Sequence, residues 1–156
     1  MASWRAVESE APELAARARE IFDARAHHTI ATLRRDGSPR ISGTEIKFAD
    51  GELWWGSMWK AVKALDLRRD PRFALHSGSS DPPEWRGDAK VAGRADEITE
   101  RETIDRVYGG PDSPEDNFHV FRADLTELVV TGLNEAGNQL VIESWHQGRG
   151  VTRRAR

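Results

Sequence analysis

Hydrophobic and polar positions along this chain follow one of two periods, and the switches between them divide it into elements. From Pro12 to Ala26, Leu14, Ala18, Ile21, Phe22 and Arg25 fall at helical intervals, with Ser9 as a candidate N-cap and Pro12 suited to a first turn. This spacing predicts an amphipathic N-terminal helix over about residues 10–26. At His28 the period falls to two. The stretch "HTIATLRRDGSPRISGTEIKFADGELWWGS" carries β-branched and aromatic residues punctuated by Asp36-Gly37 and Asp50-Gly51, and two Asp-Gly turns between three such runs predict a meander of three strands.

"MWKAVKALDLRRDP" returns to helical spacing, with Ala61, Val62 and Leu65 on one apolar face and Pro71 as the stop. "RFALHSG" predicts a fourth strand, "SSDPPEWRGD" a loop and "AKVAGRADEI" a fifth strand. Thr99 and Glu102 have the spacing of a capping box at the head of "TERETIDRVYGG". After a loop at "GGPDSPEDN", two more strands, "VFRADLTELVVTG" and "QLVIESW", flank the turn "LNEAGN". A basic tail, 148–156, reads as disordered and solvated. The expectation is a mainly β protein with a few short helices: one domain over 1–156, built as a six- or seven-stranded antiparallel barrel over 27–147.

Composition narrows the chemistry. At 156 residues the chain has room for one ordinary core. It has no cysteine, so disulfides, thiolate metal sites and thiol nucleophiles are absent. A net charge of -3 argues against general nucleic-acid binding. No apolar run approaches the roughly 20 residues of a membrane helix, and the N-terminus lacks a secretory signal's apolar centre, so a cytoplasmic location is expected. No nucleophile elbow or glycine-rich nucleotide fingerprint occurs, and no histidine pair has zinc spacing. With only 4 lysines against 19 arginines, each lysine is informative.

The order of parts resembles the pyridoxamine 5'-phosphate oxidase-like split barrels that bind flavin. A helix, "IATLRRDGSPRIS", an aromatic strand ending in a small residue, a lysine-bearing helix ending "LRRDPR", and "VAGRADEI" carry the likeness, which covers about residues 20–146. The resemblance implies a homodimer with flavin mononucleotide (FMN) or the deazaflavin coenzyme F420 at the subunit interface. It places Ser42, Gly43, Thr44 and Glu45 beside the ring, assigns the cofactor phosphate to Ser57 and Lys63, and brings Asp88 and Lys90 toward the cofactor from the side. Two departures argue against a true pyridoxamine phosphate oxidase. Ser42 stands where those enzymes have a phosphate-binding arginine, and the tail lacks their Arg-x-His signature.

The residues support a phosphate grip on their own terms. A helix start at 58–61 offers free N–H groups and the positive end of its dipole. On that helix Lys60 and Lys63 would share a face, beside the Ser57 hydroxyl and the turn at Met58 and Trp59. Trp54 and Trp55, adjacent on a strand, must face opposite ways, one to the core and the other toward a dimer interface. His27 and His28 likewise point apart, so at most one serves a site. The expected function is an FMN- or F420-dependent oxidoreductase moving a hydride to or from a small organic substrate, with no obligatory catalytic side chain. The alternative is a non-catalytic barrel that binds flavin, deazaflavin or, through His76 or His119, haem.

Overall fold

The computed structural model describes residues 2–109 and 117–156. Two helices, α1 (Trp4–Glu10) and α2 (Pro12–Asp23), precede the strands β1 (His27–Leu33), β2 (Pro39–Ala49) and β3 (Glu52–Ser57). Helix α3 (Val62–Arg69) leads to β4 (Arg72–His76) and β5 (Asp88–Ile98). Helix α4 (Arg101–Tyr108) is followed by β6 (His119–Leu133), β7 (Leu140–His146) and β8 (Gly150–Ala155). All strand pairs are antiparallel, in the order β3-β2-β1-β4-β5-β6-β7-β8, and a further pairing of β3 with β6 closes the first six into a barrel.

The turns explain the meander. Asp50 and Gly51 have φ values of 55° and 74°, the two left-handed positions that a two-residue hairpin turn of the primed type requires. At the other turn the Asp36 carboxylate accepts from the Ser38 N–H at 2.9 Å and its hydroxyl at 2.6 Å. Closure rests on β6, whose 15 residues exceed what one neighbour can use. Its first residues, His119 to Arg122, pair with β3, while Glu127 to Leu133 pair with β7. The sheet therefore continues beyond the barrel along this strand into an extension made of β7 and β8.

The barrel interior is filled by Ile30, Leu53, Trp55, Phe73, Leu75, Val91, Phe121 and Leu125, all buried. Helix α2 packs Leu14, Ala15, Ala18 and Phe22 into the same core. Burial of a large apolar side chain contributes about 1.5–3 kcal/mol, so this layer dominates the stability. The tryptophans show how sheet geometry sorts neighbours. Trp55 faces inward, with its ring centroid 4.8 Å from that of Phe73, whereas Trp54 faces outward into a small second cluster with Ile104, Val107 and Val120. Both are buried by their own chain, so Trp54 is not the surface aromatic expected at an interface; α4 covers it.

Several expected elements differ. The N-terminal segment is two helices, and Ser3 caps the first by accepting from the Ala6 N–H at 3.0 Å. Ser9 lies inside α1, and Ala11 occupies the N-cap of α2. The capping box does not form: Glu100 is the N-cap of α4, without a side-chain bond. Helix α3 starts at Val62, and its buried apolar residues are Ala64 and Leu67, while Val62 and Leu65 are exposed. The tail is a strand rather than a disordered segment, because β7 offers a free edge on which β8 completes its ladder. The loop expected at 109–117 falls, apart from its two end residues, outside the described residues.

Candidate functional site

Where β3 ends beside β2, a cavity of about 770 Å³ opens, bounded by β2, the β3–α3 junction, Tyr108 of α4 and Phe118. Gly43, Thr44, Glu45, Ser57, Met58 and Lys63 all line it, so six of the eleven residues expected from the sequence are brought together. The β2 backbone is bare at Gly43, where a Cβ would meet nothing within 4 Å. A ligand can approach that main chain closely.

Ser57 is 3% exposed, and among the described residues its Oγ has no hydrogen-bond partner. A buried hydroxyl left unsatisfied costs about 1–3 kcal/mol, and an acceptor entering the cavity would relieve it. Lys63 supplies the charge. Its Nζ donates to the Gly43 carbonyl at 2.7 Å, which bends the α3 side chain back over β2, and burial holds its pKa below the usual lysine value. Among the described residues its bond is to a neutral carbonyl, and an ammonium ion so placed in a partly desolvated site favours an anion beside it. No side chain caps α3 at Ala61, so the amide end of the helix, one residue before Lys63, adds partial positive charge.

The remaining walls are polar and aromatic. His27 Nε2 lies 3.1 Å from Glu45 Oε1 at the mouth. Lys47 Nζ sits 5.1 Å from the centroid of the Tyr108 ring, and burial pushes the Tyr108 hydroxyl up to about 12, so that phenol stays protonated at neutral pH. His28 faces the other way, buried against Phe22 with ring centroids 5.5 Å apart, its Nδ1 accepting from the Gly78 N–H at 3.0 Å. Burial lowers its pKa, and it is a core residue. Only His27 of the pair reaches the cavity.

The turn from Ser57 into α3 is held from below by a network that sequence reasoning missed. Lys60 is left-handed, with φ 59°, and precedes the helix instead of lying on it, so it shares no helical face with Lys63. Its N–H donates to His119 Nε2 at 3.1 Å. The other ring nitrogen, Nδ1, donates to Glu97 Oε1 at 2.7 Å, which fixes the neutral tautomer protonated at Nδ1. Trp59 stacks on the His119 ring at 4.9 Å and 15°, while Arg68 binds Glu97 through two bonds of 2.6 and 2.9 Å. Burial would raise the Glu97 pKa, yet the hydrogen bonds from Arg68 and His119 hold it below the usual value. Helix α3 is anchored from its other side by Asp66, which is 2% exposed and accepts from Thr32 Oγ1 at 2.8 Å, Arg40 Nε at 2.7 Å and Arg69 at 3.1 Å.

Five expected residues lie off the cavity. Ser42 and Trp59 do not line it, and neither does Lys60. Asp88 begins β5, where it accepts from the Ser79 hydroxyl at 2.8 Å, and Lys90 lines a separate groove on the β7–β8 side. Of the two histidines considered for haem, His119 has both nitrogens engaged. His76 is exposed on β4, its Nδ1 2.7 Å from the Ser77 carbonyl oxygen. Among the described residues no cluster of His, Asp and Glu could hold a metal ion, and no helix is long and apolar enough to cross a membrane.

A closed six-stranded antiparallel barrel is the fold the sequence resemblance implied. The sequence profile described as pyridoxamine 5'-phosphate oxidase matches residues 14–131. The chain belongs to the pyridoxamine 5'-phosphate oxidase-like family. Solved structures share its fold. A pyridoxamine 5'-phosphate oxidase-related, FMN-binding protein from Nostoc punctiforme superposes with a TM-score of 0.65 at 14% identity, covering 100% of this chain and 97% of its own. A conserved hypothetical protein from Mycobacterium tuberculosis gives 0.61 at 22% identity, covering 72% and 81%, and a haem-binding protein from Mycobacterium smegmatis gives 0.60 at 14%, covering 89% and 86%. No curated protein matches the chain. Within this family the matched region spans α2 through most of β6, and so contains the whole cavity.

Proposed function

We propose that the cavity holds the phosphate end of FMN and that the protein is a flavin-dependent oxidoreductase acting on a small organic substrate. The observation that carries this reading is the buried Ser57 hydroxyl, without a partner among the described residues, in a cavity where the Lys63 ammonium donates to a neutral carbonyl. Ser57 and Lys63 would take the phosphate, and the open main chain at Gly43 would lie along the ring. Bound FMN supplies two-electron hydride chemistry. The chain's own residues bind it, orient it and shield it: His119 and Asp66 fix the two sides of α3, and Phe118 and Tyr108 wall the cavity. No side chain need move a proton to the substrate.

The same reading includes a homodimer. Ile41, Val62, Leu65 and Met58 are 74%, 52%, 41% and 73% exposed, and they lie on β2, on α3 and at the β3–α3 junction, the elements that bound the cavity. Apolar side chains so placed favour a second copy completing the site.

Titration of the purified protein with FMN, followed by flavin fluorescence, tests the binding, and coenzyme F420 is titrated in parallel. Saturable FMN binding that Lys63→Ala weakens supports the reading; tight binding of the deazaflavin with none of FMN overturns the choice of cofactor. Reduction of the bound flavin by reduced nicotinamide, followed by reoxidation with an organic acceptor, tests turnover. A protein that binds FMN and accepts no electrons is a binding module and not an enzyme.

A further inference from the structure

On the reading that Ser57 and Lys63 take the flavin phosphate, we propose that Glu97 and Arg68 are positioning residues for that phosphate. They set which nitrogen of His119 accepts a hydrogen bond, and through it the backbone of the turn between the two gripping side chains. Neither residue lines the cavity. The turn, Met58 to Ala61, is closed by the Ala61 N–H donating to the Met58 carbonyl at 3.0 Å. At its third position Lys60 has a φ of 59°, a conformation that a residue with a side chain leaves unless something holds it. What holds it is the bond to His119 Nε2 at 3.1 Å, the one hydrogen bond that the Lys60 N–H makes among the described residues.

An imidazole can hold that amide only in one of its two tautomers. In the neutral ring one nitrogen donates and the other accepts, so a proton on Nε2 would set a second donor against the Lys60 N–H. Glu97 removes the choice. Its carboxylate, which can only accept, stands 2.7 Å from Nδ1 and keeps the proton there. Glu97 is itself gripped at both oxygens by Arg68, at 2.6 and 2.9 Å, and the same guanidinium lies 5.7 Å from the centre of the Trp59 ring. Trp59 in turn stacks on His119. Arg68, Glu97, His119 and Trp59 therefore form a closed circuit of contacts around the turn.

Strand order makes this relay possible. His119 of β6 lies opposite Ser57 of β3, and two residues further along β6 Phe121 lies opposite Glu97 of β5. The strand that closes the barrel thus links the carboxylate on one neighbour to the turn that follows the other. Packing alone would not select these side chains. His119 is 1% exposed and stacks with Trp59 at 4.9 Å and Phe121 at 6.2 Å. An apolar ring would fill the same space without burying polar atoms, which costs free energy unless each is bonded. The imidazole adds an acceptor aimed at the Lys60 amide, and the carboxylate adds the selection of the tautomer that makes it one.

In the cofactor-free protein at neutral pH, the ring nitrogen-15 resonances of His119 read the tautomer and the Lys60 amide resonance reads the turn. The wild type is expected to show Nδ1 protonated and Nε2 bare; the reverse overturns the relay whether or not any variant folds. In Glu97→Ala the form protonated at Nε2 should appear, the Lys60 amide should shift and FMN affinity should fall about tenfold, with Arg68→Ala moving all three the same way. Lys60→Gly supplies the rescue. Glycine takes a positive φ unaided, so Glu97→Ala/Lys60→Gly should bind FMN within about twofold of Lys60→Gly alone. A loss of affinity that persists in the double variant means that Glu97 acts through general stability, and the proposal falls; it falls equally if Glu97→Ala binds FMN as the wild type does. No FMN binding by the wild type, with the tautomer and the Lys60 response as expected, would strike the flavin reading and leave the relay standing as the device that shapes the turn.

Discussion

The Lys60 backbone N–H donates to Nε2 of His119, 59 residues away in sequence, at 3.1 Å. This bond holds Lys60 in a left-handed conformation that costs a non-glycine residue about 1–2 kcal/mol, and so sets the direction in which the chain leaves Ser57 for α3. His119→Ala removes the acceptor and the ring on which Trp59 stacks. FMN affinity is expected to fall by about 1–2 kcal/mol, read by fluorescence titration. Lys60→Gly relieves the strain without touching the cavity, so stability should rise by about 0.5–1 kcal/mol in urea unfolding with FMN affinity unchanged. A loss of affinity in Lys60→Gly would restore the ammonium group to the phosphate grip.

Ser57→Ala should separate stability from binding. Removing an unpartnered buried hydroxyl stabilises the cofactor-free protein by about 1 kcal/mol, while removing a phosphate donor weakens FMN by a similar amount. Thermal unfolding with and without FMN reads both signs in one experiment. Lys63→Ala should weaken FMN by about 1–3 kcal/mol.

Asp66 gives the fold a pH dependence. Burial would raise its pKa, but hydrogen bonds from Arg40, Thr32 and Arg69 outweigh this and hold it below the usual aspartate value. The folded state thus favours the carboxylate. The stability it contributes is fully present above the unfolded pKa of about 4 and is lost as pH falls through the lower folded value. Asp66→Asn is expected to cost about 3 kcal/mol at pH 7, since Arg40 and Arg69 lose their buried partner. Urea midpoints measured from pH 6 down to pH 2.5 should fall less steeply in the variant than in the wild type.

Leu65→Glu should convert the proposed dimer to monomer in light scattering without lowering the thermal midpoint of the chain itself, because Leu65 is 41% exposed. A wild-type protein that is monomeric at full FMN affinity would contradict the dimeric site.

The strands were legible because alternation and Asp-Gly turns are local signals, and the strand-to-helix step after Ser57 because the period of the apolar positions changes there. What escaped was long-range. Asp66 in a helical run looks like a solvated charge until Thr32 and Arg40 are brought to it. His119 looked isolated because Lys60 and Glu97, its partners, come from two other segments. Strand β8 has no alternation to read, since backbone pairing to the edge of β7 forms it without burial. Lys60 was misplaced on the helix because a positive φ at a lysine leaves no mark in composition.

The shared strand β6 also dictates how the chain must assemble. Residues 27–98 can pair locally, but β3 keeps an unpaired edge until His119 to Arg122 reach it. That edge carries Trp54 and Trp55, and α4 cannot cover Trp54 before β6 arrives with Val120. Barrel closure is therefore a late, non-local step. Until it is complete, two tryptophans stand beside open backbone hydrogen-bonding groups, which makes the unclosed barrel the species most exposed to aggregation during refolding.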